Sequence, residues 1–495
     1  MRASGILMPI SSIPSDYGIG CFDKYAYEFV DNLSKAKQKY WQILPLGPTG
    51  YGDSPYQSFS TYAGNPYYIS LSDLIEEGIL TEEECSAIDF GDNDSYVDYE
   101  KIFNGRFKIL RKAYERSNIS SDLEFKNFKE KNGYWLSDYS LYMAVKDSFD
   151  GQEWIKWPED IRLREDSAIE KYRNELHSDI EFYEFMQYKF WTQWYKLKGY
   201  ANEKGVEIVG DIPIYVAFDS ADTWANPSLF QLDKDNKPIA VAGCPPDGFS
   251  ATGQLWGNPL YNWEYHKNTN YEWWVKRIEY CYFAYDVVRI DHFRGFDEYY
   301  SIPYGAETAI NGHWEKGPSM DLFNTISSRL GEKEIIAEDL GYLTDSVRQL
   351  VKDSGYPGMK VFEFAFDSRD SSGANDYLPH NYDSNCVVYT GTHDNETLMG
   401  WLKSIQPEER DMLVKYINTT HTEDKDIVLD CIYTVMSSVA KMCIIPIQDW
   451  LALDNSARIN TPSTLGDNWK WRLNKNQFTA ELVEKIAEVT AIYGR

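Results

Sequence analysis

Eight short runs rich in β-branched and aliphatic residues recur along the 495-residue chain, and they constrain its fold more than any other feature. Each run is long enough for one strand and ends in polar, glycine or proline residues, and helical patterns separate many of them. Strands that alternate with helices predict a parallel sheet, and eight such strands predict a closed (β/α)8 barrel. The runs cover residues 5–10, 40–46, 206–212, 286–290, 334–338, 360–364, 386–389 and 442–447.

The uneven spacing of these runs predicts where the barrel carries insertions. About 160 residues separate the second and third runs, more than one strand–helix unit needs, so residues 50–180 are expected to form an inserted, mainly helical subdomain. A second, active-site insertion is expected over residues 216–265, where glycine, proline and tryptophan are dense. Long insertions after barrel strands lie on the C-terminal face, where barrel enzymes place their sites. We expect one catalytic barrel over residues 1–495, interrupted twice, without a separate C-terminal β domain.

The charge of the chain limits the class of ligand. With 77 acidic against 49 basic residues, the net charge is −28, which argues against nucleic acid, anionic membranes and polyanionic substrates, because binding to these depends on Lys and Arg. A neutral, polyhydroxylated ligand is compatible with this charge and suits the flat rings of 16 Trp and 38 Tyr residues. Seven scattered cysteines without a C-x-x-C pair predict reduced thiols and a cytoplasmic location.

The fourth run ends in an arginine and an aspartate that suit nucleophilic chemistry. Arg289 and Asp291 are two residues apart, so in a strand they share one face. A guanidinium at that distance is expected to lower the pKa of the Asp291 carboxyl group and keep it ionised. An ionised, oriented aspartate at the C-terminal end of a barrel strand is what a carboxylate nucleophile requires. The alternative is a structural Arg–Asp pair that closes the barrel.

Three further runs end in acidic residues. Glu338 follows the fifth run and is a general-acid candidate if burial raises its pKa, whereas its neighbour Asp339 is expected to cap the next helix. Asp394 follows the seventh run, where an N-cap for a helix over residues 397–403 is the alternative. Asp211 ends the third run. These acids are expected to converge on one rim, and two carboxylates about 5 Å apart characterise a retaining glycosidase.

Other catalytic chemistries find little support in the sequence. No H-E-x-x-H motif occurs and the seven histidines are dispersed, so a zinc site is not expected. Complete dinucleotide, phosphate-loop and G-x-S-x-G motifs are also missing. The sequence therefore predicts an enzyme that needs neither a metal nor an organic cofactor.

Long, distinctive motifs throughout the chain resemble glycoside hydrolase family 77, the 4-α-glucanotransferases (amylomaltase, disproportionating enzyme), which are relatives of the α-amylases. The resemblance includes the three strand-end motifs around Asp291, Glu338 and Asp394. The other motifs include residues 46–57 (LGPTGYGDSPYQ), 210–216 (GDIPIYV), 253–261 (GQLWGNPLY) and 458–462 (RINTP).

The resemblance implies roles for the rim acids. Asp291 would be the nucleophile, Glu338 the general acid/base, and Asp394 the residue that stabilises the transition state and holds the hydroxyl groups of the sugar. The reaction implied is the transfer of an α-1,4-glucan segment to the 4-OH of an acceptor glucan or glucose. A hydrolytic α-amylase-like enzyme and a catalytically silent glucan-binding protein are the alternatives, although the full set of acids argues against silence.

The same resemblance implies a set of substrate contacts. Arg289 and His393 would line the donor-sugar site, with Asp211 as the equivalent first-motif aspartate. The remaining residues in segments that contact α-1,4-glucans in this family are Tyr56, Asp247, Gln254, Trp256 and Asn460, with Tyr51 at a secondary glucan position. Gly248 departs from the aromatic residue of some members, which leaves Phe249 as the expected loop contact.

Overall fold

The computed structural model describes residues 2–50, 52–246, 250–341, 343–369 and 373–495. Tyr51, Asp247 and Phe249 lie outside the described residues, so their predicted glucan contacts stay predictions. The strands are β1 Ala3–Leu7, β2 Tyr40–Gln42, β3 Glu207–Pro213, β4 Ala240–Cys244, β5 Gln254–Pro259, β6 Val287–Asp291, β7 Glu298–Pro303, β8 His313–Lys316, β9 Ile335–Ala337, β10 Gly358–Val361, β11 Cys386–Tyr389 and β12 Met442–Pro446.

Helices fill most of the chain between the strands. The α-helices are α1 Lys24–Lys35, α2 Leu71–Glu76, α3 Glu82–Ser86, α4 Tyr99–Ser117, α5 Leu123–Ser148, α6 Glu159–Arg162, α7 Asp166–Glu175, α8 His177–Glu203, α9 Ala221–Ala225, α10 Trp263–Asn268, α11 Glu272–Ala284, α12 Met320–Leu330, α13 Asp345–Ser354, α14 Leu398–Ser404, α15 Pro407–Tyr416, α16 Asp424–Ser437, α17 Ile447–Trp450 and α18 Ala480–Tyr493. The 3₁₀ helices are Ile10–Ser12, Pro66–Tyr68, Ile119–Ser121, Trp154–Lys156, Pro227–Leu229, Phe293–Phe296, Phe362–Ala365, Pro379–Asn381 and Asn455–Ala457. Within the described ranges, no helix is both long and apolar enough to cross a membrane.

Eight parallel strands close into a barrel in the order β1-β12-β11-β10-β9-β6-β3-β2. One strand falls within or beside each of the eight predicted runs, and the boundaries differ by a few residues at most ends. The closing pair is β1 and β12, in which Ala3 lies opposite Met442. The predicted (β/α)8 barrel is therefore confirmed. Because every barrel strand points the same way, the residues at their carboxyl ends meet on one face.

A compact apolar cluster fills the inside of the barrel. Leu7, Tyr40, Val209, Val287 and Ile336 belong to it, and each is at most 9 % exposed. A larger cluster joins the outer faces of the strands to the surrounding helices. The two-sided burial explains why the strand runs read as continuous apolar stretches rather than as alternating ones.

Two regions interrupt the regular barrel. Between β2 and β3 the described chain forms helices α2 to α8, which include the 26-residue α5 and the 27-residue α8. Strands β5, β4, β7 and β8 form a separate antiparallel sheet, which the sequence analysis did not predict. Its strands β5 and β8 mix polar, glycine and charged residues, so they lack the apolar runs that revealed the barrel strands.

Candidate active site

Arg289 is the centre of a buried charge cluster at the C-terminal ends of β3 and β6. Its Nη1 lies 2.8 and 2.7 Å from the two carboxylate oxygens of Asp211, and its Nη2 lies 3.1 Å from Oδ1 of Asp291. The strand register creates this geometry, because Arg289 pairs with Asp211 across β3 and β6. Asp211 is fully buried, whereas the Asp291 side chain stays 30 % exposed. One guanidinium thus binds the fully buried carboxylate of Asp211 on one side and the accessible carboxylate of Asp291 on the other.

An aromatic and imidazole stack borders this charge cluster. The Tyr56 hydroxyl donates a 2.8 Å hydrogen bond to Oδ2 of Asp211. Its ring stacks on the buried His393 with 5.1 Å between centroids and an interplanar angle of 18°. Trp469 packs against both rings. These contacts hold Tyr56, Asp211 and His393 in one wall beside Asp291.

Glu338, immediately after β9, is fixed by two backbone donors. The His292 N–H lies 2.6 Å from Oε2, and the Leu340 N–H lies 2.8 Å from Oε1. His292 has a left-handed backbone, with φ of 53° and ψ of 46°. Such a conformation costs a non-glycine residue of order 1–3 kcal/mol and persists only where the surroundings enforce it. The residue after Asp291 therefore links the nucleophile candidate to the general-acid candidate.

The two central carboxyl groups titrate well above their ordinary ranges. Burial raises the pKa of Asp291 to about 6, even though Arg289 acts to lower it. Burial and the negative charge of Asp291 together raise the pKa of Glu338 to about 7, against the opposing effect of Arg289. The predicted lowering of the Asp291 pKa is therefore wrong in its net sign, because desolvation outweighs the ion pair. The predicted rise for Glu338 has the expected cause.

Asp394 is held from two sides in the loop after β11. Asn460 donates a 2.6 Å hydrogen bond from Nδ2 to Oδ1 of Asp394, and its own N–H donates to the His393 carbonyl. Arg458 donates to the main-chain carbonyls of both Asp394 and Asn460, each at 2.8 Å. Asp394 remains 45 % exposed. The loop thus presents a fixed but accessible carboxylate toward the Arg289 cluster, and the charge of Asp394 contributes to the raised pKa of Asp291.

The small antiparallel sheet places a second aromatic side chain beside the catalytic rim. Trp256 on β5 meets the His292 ring edge to face, with 4.8 Å between centroids and an interplanar angle of 89°. Its indole N–H donates to Oε1 of Gln254 at 3.1 Å. Through His292 these two residues lie next to Asp291 and Glu338, on an element other than the one that carries Tyr56.

Two of the helix-cap interpretations are wrong. Asp339 accepts the Met359 N–H at 2.7 Å and so ties β9 to β10, and the N-cap of the next helix, α13, is Thr344. The helix after Asp394 begins at Leu398 with Thr397 as its N-cap, so Asp394 does not cap it. Sequence proximity suggested a cap in both cases, but the turn between acid and helix is longer than the pattern indicated.

Comparisons with known proteins agree with this architecture. Residues 8–478 match the family model of glycoside hydrolase family 77, described as 4-alpha-glucanotransferase. The chain belongs to this family. It is 53 % identical over 490 residues to a 4-alpha-glucanotransferase of Clostridium butyricum, covering 99 % of this chain and 100 % of the relative. An amylomaltase of Streptococcus agalactiae, solved in complex with acarbose, is 41 % identical with a TM-score of 0.97 and full coverage of both chains.

Family 77 membership applies to the whole barrel and not to a fragment of it. A 4-alpha-glucanotransferase of Streptococcus pneumoniae is 49 % identical over 497 residues, covering 100 % of this chain and 97 % of the relative. Three further residues support the site and were not predicted from the sequence. His292 lies inside the motif around Asp291, and Trp469 lies beyond the quoted motif at residues 458–462; neither was given a role. Arg458 was not given a role either, because its task is to hold main-chain carbonyls.

Proposed function

We infer that this family 77 protein is a 4-α-glucanotransferase that works by a retaining double displacement. The observation that supports this most directly is the convergence of Asp291, Glu338 and Asp394 around the guanidinium of Arg289. Two central carboxyl groups with different pKa values suit a nucleophile and a proton donor. The substrates are α-1,4-glucans, a class consistent with the acarbose complex of the Streptococcus agalactiae amylomaltase.

In the first displacement, Glu338 supplies the proton and Asp291 supplies the electron pair. Glu338 carries its proton because its pKa is about 7, and it delivers that proton to the glycosidic oxygen as the C–O bond breaks. Asp291 attacks the anomeric carbon from the opposite face, giving a covalent β-glucosyl ester. The leaving glucan departs with a free 4-OH. Arg289 keeps the attacking carboxylate ionised and oriented.

In the second displacement, Glu338 acts as the base. Ester formation removes the negative charge of Asp291, which is one of the two causes that raise the pKa of Glu338. The ionised Glu338 then takes the proton of the acceptor 4-OH, whose oxygen attacks the anomeric carbon and restores the α linkage. Asp291 leaves as the carboxylate, and the starting protonation states return.

Asp394 and the wall formed by Tyr56, Asp211 and His393 stabilise the donor sugar during both displacements. The fixed, accessible Asp394 carboxylate accepts hydroxyl hydrogens and offsets the positive charge of the oxocarbenium-like transition state. Tyr56 and His393 form the wall beside the same sugar. On β5, Trp256 and Gln254 offer a ring face and an amide to the acceptor sugar. An acceptor sugar bound there leaves less room for a water molecule to attack the covalent intermediate. The scattered cysteines support a cytoplasmic location within this proposal.

Incubation with maltotriose alone tests the proposed activity. Transfer produces a ladder of longer maltooligosaccharides together with free glucose, while the number of reducing ends stays constant. A steady gain of reducing ends without a ladder would instead support the hydrolytic alternative. An unchanged maltotriose pool, with retained binding to amylose, would support a silent glucan-binding protein and refute the transferase.

A further inference from the structure

Two acidic side chains lie sealed behind the loop that carries Asp394, and the mechanism above uses neither. Glu363 follows β10 in the 3₁₀ helix Phe362–Ala365 and is 6 % exposed; Asp449 lies in α17 after β12 and is 1 % exposed. Buried carboxyl groups are costly unless paired or protonated. Their position behind a catalytic loop therefore calls for a physical explanation.

Asp449 fastens the Asp394 loop at both ends. Its Oδ2 accepts the hydroxyl hydrogen of Thr390 at 2.5 Å, and its Oδ1 accepts the Leu398 N–H at 2.8 Å. Thr390 immediately follows β11, and Leu398 begins α14. One carboxylate thus holds the start and the end of the segment that contains Asp394.

Glu363 lies beneath the same segment, where the Asn395 side chain is a hydrogen-bonding neighbour of its carboxyl group. Its N–H donates to the Thr390 carbonyl at 3.2 Å, while its side-chain Oε1 is buried with no hydrogen-bond partner among the described residues. The carboxyl group sits directly under Gly391, where an added Cβ atom would lie 2.9 Å from Oε1. Gly391 is three residues before Asp394, so any movement of this carboxyl group acts on the loop backbone.

The groups around Glu363 favour its protonated form. Burial raises its pKa well above the ordinary range, and the charges of Asp449 and Glu396 raise it further, while Arg458 and the Asn395 amide oppose the rise. Cys431 of α16 faces the same space, since Glu363 and Asp449 both act to raise the pKa of its thiol. Arg458 is already engaged with main-chain carbonyls beside Asp394. A second full negative charge next to Asp449 would have no free cation to compensate it among these groups.

We propose that Glu363 is a positioning residue for Asp394 that works as a neutral acid, and this rests on the proposed role of Asp394. The protonated carboxyl group fills the space beneath Gly391 and leaves the loop in the position that Asp449 and Arg458 fix. Ionisation places two carboxylates in one sealed space, where they repel, and the loop backbone above Glu363 is displaced. Displacement of a reacting group by about 1 Å costs about 100-fold in rate.

The matched variant Glu363→Gln keeps the shape and removes the ionisation. The readout is kcat/KM against pH with an α-maltosyl fluoride donor, whose fluoride leaving group needs little protonation by Glu338. Wild type is expected to fall about tenfold per pH unit above the ionisation of Glu363. Glu363→Gln is expected to lack this fall and to stay within about threefold of wild type at pH 6.5. Glu363→Met, a neutral side chain of similar length, should give the same flat profile.

Asp449→Asn tests whether repulsion between the two carboxylates causes the alkaline fall. This variant removes the second carboxylate, so ionised Glu363 has no charged neighbour at that position to repel, and the alkaline fall should be much smaller than in wild type even though Glu363 ionises at lower pH. The double variant Glu363→Gln with Asp449→Asn should again be flat. Thermal melts at pH 6.5 identify any variant that does not fold, and the comparison then uses Glu363→Met in place of Glu363→Gln.

Superimposable alkaline limbs of wild type and Glu363→Gln would overturn the positioning role. Failure of the underlying function gives a different result, because Asp394→Asn would then keep the wild-type rate with the fluoride donor at every pH. A slow Asp394→Asn together with superimposable limbs for Glu363→Gln therefore rejects only the inference about Glu363.

Discussion

Two groups of carboxyl groups occupy the same end of the barrel but differ in their access to solvent. The open acids, Asp291, Glu338 and Asp394, face the rim, with 30 % of Asp291 and 45 % of Asp394 exposed. The sealed acids, Glu363 and Asp449, are 6 % and 1 % exposed. Burial raises pKa values in both groups, to about 6 for Asp291 and for Asp449 alike. A raised pKa therefore does not by itself identify a catalytic acid in this molecule.

Access and the partners of each carboxyl group separate the two groups. An open acid is partly exposed at the rim, and the guanidinium of Arg289 lies 3.1 Å from Oδ1 of Asp291. A sealed acid is surrounded by protein, and both carboxylate oxygens of Asp449 accept hydrogen bonds from the loop that carries Asp394. The first group can exchange protons and bonds with a substrate, whereas the second can act only through the loop.

The largest effect is expected for the open nucleophile. Asp291→Ala removes the carboxylate that we propose forms the covalent intermediate, so transfer activity on maltotriose should fall by about 10⁴-fold or more, the size typical for loss of a catalytic nucleophile. The variant should still bind amylose. Because the cavity left by alanine admits a small anion, added azide should restore turnover of α-maltosyl fluoride and yield a β-glycosyl azide.

Asp339→Asn is the matched control for the rim acids. Asp339 lies next to Glu338 but accepts the Met359 N–H, which an asparagine oxygen can also accept. This variant should keep activity within about threefold of wild type, since it retains that single bond. Full transfer activity in Asp291→Ala would contradict the assignment of the nucleophile.

The next largest effect is expected in how the free energy of unfolding depends on pH, because Asp449 is buried. The pKa of Asp449 is raised from 3.8 to about 6, so the folded protein binds a proton that the unfolded chain has already released between these values. Its contribution to the free energy of unfolding is therefore greatest below pH 3.8 and falls as pH rises toward 6, by about 3 kcal/mol in all. Asp449→Asn has no such loss. The cost of the substitution, measured by urea unfolding, should thus be smaller at pH 7 than at pH 4.

A difference between wild type and Asp449→Asn that does not change with pH would contradict this account. Asn can accept only one of the two hydrogen bonds at a single oxygen, so a constant cost of about 1–3 kcal/mol is expected beneath the pH-dependent part. An exposed ion pair gives the control: Asp411→Asn, whose partner Lys415 lies on the surface, should shift stability only slightly at either pH.

The barrel was predictable because each strand is buried on both faces and therefore appears as an apolar run. The four-stranded antiparallel sheet was not, since His313–Lys316 contains three polar residues and Gln254–Pro259 mixes polar, glycine and proline residues. Pairing between distant segments, such as Tyr300 with Trp314, stabilises these strands. Such pairing leaves no periodic pattern in either segment alone.

The open acids were predictable for a related reason, because Asp291 ends a recognisable strand and Glu338 and Asp394 follow one within five residues. Their net pKa values were not, since the shift of Asp291 depends on how burial outweighs Arg289. The sealed acids were also missed. Glu363 lies inside the sixth predicted run, residues 360–364, and nothing in the sequence shows that Gly391 covers it. Sequence order locates a residue on a rim, but the packing of neighbouring loops decides whether it is open or sealed.

The smallest effect, and the one that separates the two groups most directly, is the pH profile. Transfer from maltotriose requires Asp291 ionised and Glu338 protonated, so kcat/KM should be highest between about pH 6 and pH 7. It should fall about tenfold per unit on either side, because Asp291 gains a proton below and Glu338 loses one above. With a fluoride donor the limb of Glu338 disappears, and the remaining alkaline limb is that of the sealed Glu363. An alkaline limb near pH 7 that persists with the fluoride donor in Glu363→Gln, which lacks the limb of Glu363, would mean that Glu338 is not the acid that protonates the leaving group.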